Sequence, residues 1–244
     1  MQRREMLAAA GAALAGWASF PLVAGAGQHR RKVLYFTRSA GFEHSVVRRK
    51  GDQLSHSERV LTQLGQKHGF EVVATKDGAV FDGDLGQFDL IAFYTSGDLT
   101  KPCKQPGQPM SPAGLKRLLA AVEGGKGFAG FHAATDSFRS PGDQVSPFTA
   151  MIGGEFVSHG PQQMATLSVA SPGFPGMSGI GRSLKFHEEW YAHRKFAKDL
   201  HVVMVQETAG MTGKEYQRPP FPATWARRQG AGRSQRLTRG AAVR

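Results

Sequence analysis

At 244 residues with 40% hydrophobic content and 16 Phe, the chain can bury a sizeable core, which excludes a disordered tail protein, and no linker divides it, so one domain is expected. Its formal charge of +12 sits at the ends: residues 1–32 carry Arg3, Arg4, Arg30, Arg31 and Lys32 against Glu5, and residues 227–244 carry six arginines and no acid. The body is nearly neutral, which leaves no basic face for a phosphate backbone and disfavours nucleic-acid binding.

The first 27 residues form a targeting segment, with Arg3-Arg4 ahead of Met6-Leu7, an Ala/Gly/Leu run to Trp17, and small residues for cleavage at Val23-Ala24-Gly25-Ala26. The paired arginines resemble a twin-arginine export signal, and the run is too short and Ala/Gly-rich for a comfortable membrane span. Export, to the periplasm, is expected, with no stable membrane insertion. The lone cysteine, Cys103, cannot form an internal disulfide, which agrees with export of a folded chain; it is expected to be incidental.

Beyond the leader, Lys32–Thr37 is a continuous apolar run, as a strand buried on both faces requires. A polar loop through His44 follows, then a helix expected from about Asp52 to His68 with Leu54, Leu61 and Leu64 on one face and Gly69 as its stop. Phe70–Ala74 and Phe88–Tyr94 are the next strands. Ser111-Pro112 opens a second helix, whose Leu115, Leu118, Leu119 and Val122 recur at helical spacing before Gly124-Gly125. A strand over Gly127–Phe131 completes a β-α-β-β-α-β order, the alternation of a mostly parallel sheet with helices on both faces. Further strands are expected over Met164–Ala170 and His201–Val205.

The Gly127–Phe131 strand breaks among small residues and presents His132 at the carboxyl edge of the sheet, where open α/β sheets bind ligands. Serine or cysteine at such an elbow is a nucleophile; an imidazole suits proton transfer, a hydrogen bond to substrate or metal ligation, and the plain alternative is a histidine that merely ends a strand. His44 follows the first strand and Ser96-Gly97-Asp98 the third, so a pocket is expected at that edge.

Several ordered segments resemble the ThuA-like (trehalose utilisation) family: Ser39–His44, Gly127–Phe138, Ile152–Gly160, His187–Tyr191, Thr224–Arg227 and Gly230–Arg233. The resemblance spans about Lys32 to Arg233. It implies the flavodoxin-like fold of class I glutamine amidotransferases and a role in sugar catabolism, since members often travel with carbohydrate-catabolic genes. Where those fold relatives carry a catalytic cysteine, this chain has His132, so cysteine-dependent amidotransfer is disfavoured. Glu188-Glu189-Trp190-Tyr191 resembles the family's acidic-Glu-aromatic-Tyr segment; in chemistry on a sugar, one carboxylate is expected to act as base or hold hydroxyls while Tyr191 donates a hydrogen bond and Trp190 stacks on a ring face. The plain alternative there is a solvated acidic turn beside core aromatics.

The reading that follows is a protein acting on a sugar or keto-sugar, with His132 and Glu189 as proton-transfer groups and His44, Asp136, His159, Trp190 and Tyr191 binding substrate. The alternatives are a non-catalytic sugar-binding module and a metal-dependent hydrolase in which His44, His132 and His159 join Glu189 around a divalent ion. One departure from the family stands out. After Arg233 the chain runs into an arginine-rich, aperiodic 234–244 tail where an apolar strand and a final helix are expected, as a frame change or truncation would produce.

Overall fold

The computed structural model describes residues 30–237, the last six as backbone only. The Arg3-Arg4 leader and the end of the basic tail lie outside the described residues. The chain alternates as its pattern requires, through β1 (Lys32–Phe36), α1 (His56–His68), β2 (Glu71–Thr75), β3 (Leu90–Phe93), α2 (Pro112–Glu123) and β4 (Gly127–Phe131). These strands pair in parallel in the order β2-β1-β3-β4. Successive side chains leave a strand on opposite faces. Leu34, Phe36, Ile91, Phe93 and Phe128 accordingly pack with Leu118 and Val122 of α2, while Val33, Tyr35, Ala92, Tyr94 and Ala129 gather on the other face with Leu61 of α1. This is the flavodoxin-like α/β arrangement, helices on both faces.

The first helix begins later than its apolar pattern suggests. Ser55 accepts a hydrogen bond from the Glu58 amide, and the Glu58 carboxylate accepts one from the Ser55 amide at 2.7 Å, a capping box that fixes the start at His56. Glu58 is buried and also receives Arg49 and the Thr37 hydroxyl. The helix therefore turns Glu58 and Gly65 inward, and Leu64, expected on the apolar face, is exposed.

The second half contains α3 (Pro147–Ile152), β5 (Glu155–His159), β6 (Gln163–Val169), β7 (Ser183–Glu188), β8 (Tyr191–Arg194), β9 (His201–Gln206), β10 (Phe221–Gln229) and β11 (Gly232–Leu237). The last of these lies parallel to β4 and antiparallel to β10, and the sheet continues antiparallel through β9, β6 and β7 to nine strands. A strand thus stands at Ser234–Leu237, where the tail was expected to leave one missing. Strand pairing is made by backbone groups, so an aperiodic segment can still supply the donors and acceptors that the edge of β4 requires. Separately, β5 and β8 form an antiparallel pair with His159 opposite Tyr191. Among the described residues no helix is long and apolar enough to cross a membrane.

Candidate functional site

The loops after β1, β3 and β4 are laced together at the carboxyl edge. Ala40 and Gly41 donate their amides to the Ser96 carbonyl at 2.8 and 3.0 Å, and the Ser96 hydroxyl donates to the Phe42 carbonyl at 2.7 Å. On the other side Gly97 donates to the Asp136 carbonyl and receives Phe138 on its own. Gly97 sits at φ 76°, and a Cβ there would lie 2.4 Å from the Gly41 amide nitrogen, so only glycine admits this approach. The lacing sets His44 beside the elbow. Their rings lie edge to face with centroids 4.5 Å apart.

His132 opens a short 3-10 turn over residues 132–136 at φ 44°, in the left-handed region that side chains other than glycine seldom adopt. The expected elbow therefore exists as a backbone feature. His132 is buried, and its Nε2 lies 3.4 Å from Oε2 of Glu189.

Glu189 arrives from the opposite side, in the break between β7 and β8. The indole of Trp190 donates to the Gln163 carbonyl at 2.7 Å, and the Tyr216 hydroxyl donates to the Trp190 carbonyl while accepting the Gly160 amide, both at 2.8 Å. These bonds fix the 159–163 and 189–191 segments against one another. His159 Nε2 consequently stands 4.0 Å from Glu189 Oε2, and Gln162 donates to Oε1 at 3.3 Å. The other ring nitrogen of His159, Nδ1, is 2.8 Å from the Gly160 carbonyl. A carbonyl only accepts, so Nδ1 carries the proton and Nε2 is the nitrogen presented to the centre. Tyr191 binds the arrangement together: its hydroxyl is 3.2 Å from His44 Nε2, and its ring packs on His132 and His159 with centroids at 4.3 and 5.7 Å.

The adjacent His132 imidazole is the largest influence on Glu189; with further help from Gln162 and the positive field of His44, it outweighs burial and brings the carboxyl down to about 2. Glu189 is thus a carboxylate across the ordinary pH range. His44, His132 and Glu189 each offer one ligand atom within 4.8 Å of the others, a geometry that would admit a metal ion.

Of the seven sequence-predicted residues, His44, His132, His159, Glu189 and Tyr191 come together. Trp190 does not: it is 1% exposed in the core formed with Leu167, Val203 and Tyr216, so stacking on a sugar is corrected to a packing and positioning role. Asp136 also stands apart, its carboxylate held by Arg139 at 2.5 Å, and burial raises its pKa above the usual value against that pairing. Cys103 is a free, half-buried thiol that forms no part of the cluster. Phe42, which sequence reasoning did not single out, lies beside the cluster. It is 69% exposed and meets His44 edge to face at 4.9 Å; an aromatic in a polar loop two residues before a candidate histidine was the available signal. A cleft of about 480 Å³ lined by Gly97, Asp98, Thr100, Leu115, Phe138 and Arg139 opens beside α2. It shares no residue with the histidine cluster, and convergence of polar groups, rather than volume, identifies the site.

The sequence profile of the ThuA family, described as trehalose utilisation, matches residues 32–242. Among solved structures the chain is similar to a ThuA-like protein from Bacteroides uniformis, with 21% identity over 85% of this chain and 81% of that one and a TM-score of 0.64. It is also similar to a ThuA-like protein from Parabacteroides merdae, with 17% identity over 85% and 78% and a TM-score of 0.62. A β-galactosidase from Bacillus circulans shares the fold at 11% identity and a TM-score of 0.50, over 86% of this chain and 28% of that enzyme. At such identities these likenesses show the fold alone. A comparison with curated proteins gave no significant match. The family match points to a role in sugar metabolism, and the chain belongs to the ThuA, or trehalose-utilisation, family.

Proposed function

We propose that the protein is an enzyme acting on a carbohydrate, a sugar or keto-sugar, at the carboxyl edge of the parallel strands and without a cysteine nucleophile. The observation that carries this reading is His132, a buried imidazole at φ 44° next to the half-buried carboxylate of Glu189. Such backbone costs on the order of 1–3 kcal/mol and persists where the surroundings over-determine it, which is common at reactive centres. Binding sugar hydroxyls requires no such arrangement. The permanent charge on Glu189 suits it to orient the imidazoles around it and to accept a substrate hydroxyl, as a carboxylate orients a catalytic histidine in hydrolytic triads. The imidazoles then move the proton, with His132 at the elbow and His159, 39% exposed, on the solvent side. Phe42 supplies the apolar platform that Trp190 does not.

Calorimetric titration with disaccharides, run alongside product analysis, tests the reading. Turnover is expected; binding without product rejects the enzyme in favour of a sugar-binding module. With the substrate so found, Phe42→Ala should raise KM about tenfold, a loss of about 1.4 kcal/mol, with little change in kcat. An unchanged KM removes Phe42 from the site.

Export to the periplasm through Arg3-Arg4 belongs to the same proposal. Changing both to lysine should leave the precursor in the cytoplasmic fraction, because the twin-arginine pathway reads that pair. Secretion at the original level would reject it.

A further inference from the structure

We infer that His44, His132 and Glu189 form a binding site for a divalent transition-metal ion of the zinc or ferrous class. Their ligand atoms lie within 4.8 Å of one another although they come from three separate places: the loop after β1, the turn after β4 and the break before β8. The spacing of His132 and Glu189 fits two ligands of one ion better than a tight direct contact. A charge-assisted N–H···O bond closes to about 2.7–2.9 Å. Two ligands of a tetrahedral ion bound at about 2.0–2.2 Å stand about 3.3–3.6 Å apart, and His132 Nε2 lies 3.4 Å from Glu189 Oε2. Two imidazoles and a carboxylate make a donor set of borderline softness that leaves coordination positions open for water or a substrate oxygen.

The surroundings have the character of a metal site as well. The Tyr191 hydroxyl contacts His44 and the Gln162 amide holds Oε1 of Glu189, the kind of outer contacts that orient ligands. His159, with Nδ1 tied to the Gly160 carbonyl, presents Nε2 from the solvent side. With the ion held by His132, the proton-carrying role falls to His159. The inference deepens the carbohydrate-enzyme reading and rests on it for the use of the ion, while binding of the ion is measured without any sugar.

Tag-free full-length protein, stripped with a chelator, is titrated with Zn2+ alone by calorimetry and by thermal melting. One equivalent should bind and raise Tm, and His44→Ala and Glu189→Gln should each weaken binding by at least about a hundredfold. His201→Ala, on β9 and bonded to Ser171, should bind as the wild type does. Absence of Zn2+ binding by the wild type overturns the inference, as does binding that neither site variant alters. If one variant loses its cooperative melt, the other carries the comparison. Absence of Zn2+ binding in a protein that turns over sugar overturns the metal site and leaves the enzyme reading intact; one equivalent of Zn2+ with no turnover supports the site and rejects the enzyme reading.

Discussion

Changing His132 to asparagine should cut turnover by about 10²–10⁴-fold while lowering Tm by only a few degrees. The size of the loss is that typical of removing a positioned acid–base group, and a His132 that holds the ion instead would lose turnover together with the ion. The choice of asparagine follows from the backbone: His132 sits at φ 44°, and asparagine tolerates the left-handed region better than alanine, so the elbow survives the exchange. The packing lost includes ring contacts with His44, Tyr94 and Tyr191. A destabilisation of about 1 kcal/mol corresponds to about 2–4 °C in a chain of this size. Glu189→Gln should act in the same direction, since an amide in that place no longer supplies the charge that the imidazoles face. Cys103→Ser should leave activity as it was. A fully active His132→Asn enzyme would make His132 a residue that ends a strand and nothing more.

The parallel half of the sheet was legible because β1, β3 and β4 are continuous apolar runs, the signature of strands covered on both faces. Legible too was the elbow, since Gly130 and Ala133 bracket the side chain that it presents. The antiparallel extension was harder. In β7, Leu184 and Phe186 alternate with Ser183, Lys185 and His187, a one-sided pattern too short to stand out, and β10 carries Pro222 and two arginines. No periodicity marks β11, which pairs in parallel with β4.

At the site, His44 and His132 were found from their positions at strand ends and His159 and Glu189 from segments that resemble the family, and the error at Trp190 has a simple origin. In extended chain, alternate residues share a face. If Glu189 and Tyr191 look into the cleft, Trp190 between them looks away, and in the structure it lies in the core beneath. The residues that hold Glu189 and His159 in place, Tyr216 and Gln162, carry no sequence signal, because their contacts join segments far apart in the chain.

Replacing Glu155 with alanine should destabilise the protein by about 3 kcal/mol near neutral pH, the stability that its lowered carboxyl pKa supplies there. Glu155 opens β5 and is fully buried. Its Oε2 accepts the Ser140 amide at 2.6 Å and the Thr149 hydroxyl at 3.2 Å, while Oε1 takes Arg194 at 2.7 Å, so one carboxylate joins the loop beyond the elbow, α3 and the β5–β8 pair that bears His159 and Tyr191. Burial is the largest single influence and raises its pKa; the Ser140 and Arg194 hydrogen bonds and the nearby Lys195 together overcome it and bring the carboxyl down to about 2. A carboxylate with a folded pKa below its unfolded value stabilises the fold above the unfolded value, and that stability drains away as pH falls toward the folded one. The wild type should therefore lose about 3 kcal/mol between about pH 4.5 and pH 2 through this group alone, and the alanine variant should lose none of it. Denaturant unfolding of both proteins at pH 7, 4 and 2.5 measures the gap. It should be widest at pH 7 and mostly closed at pH 2.5, and a gap of constant size across that series would mean that Glu155 holds the fold by packing rather than by charge.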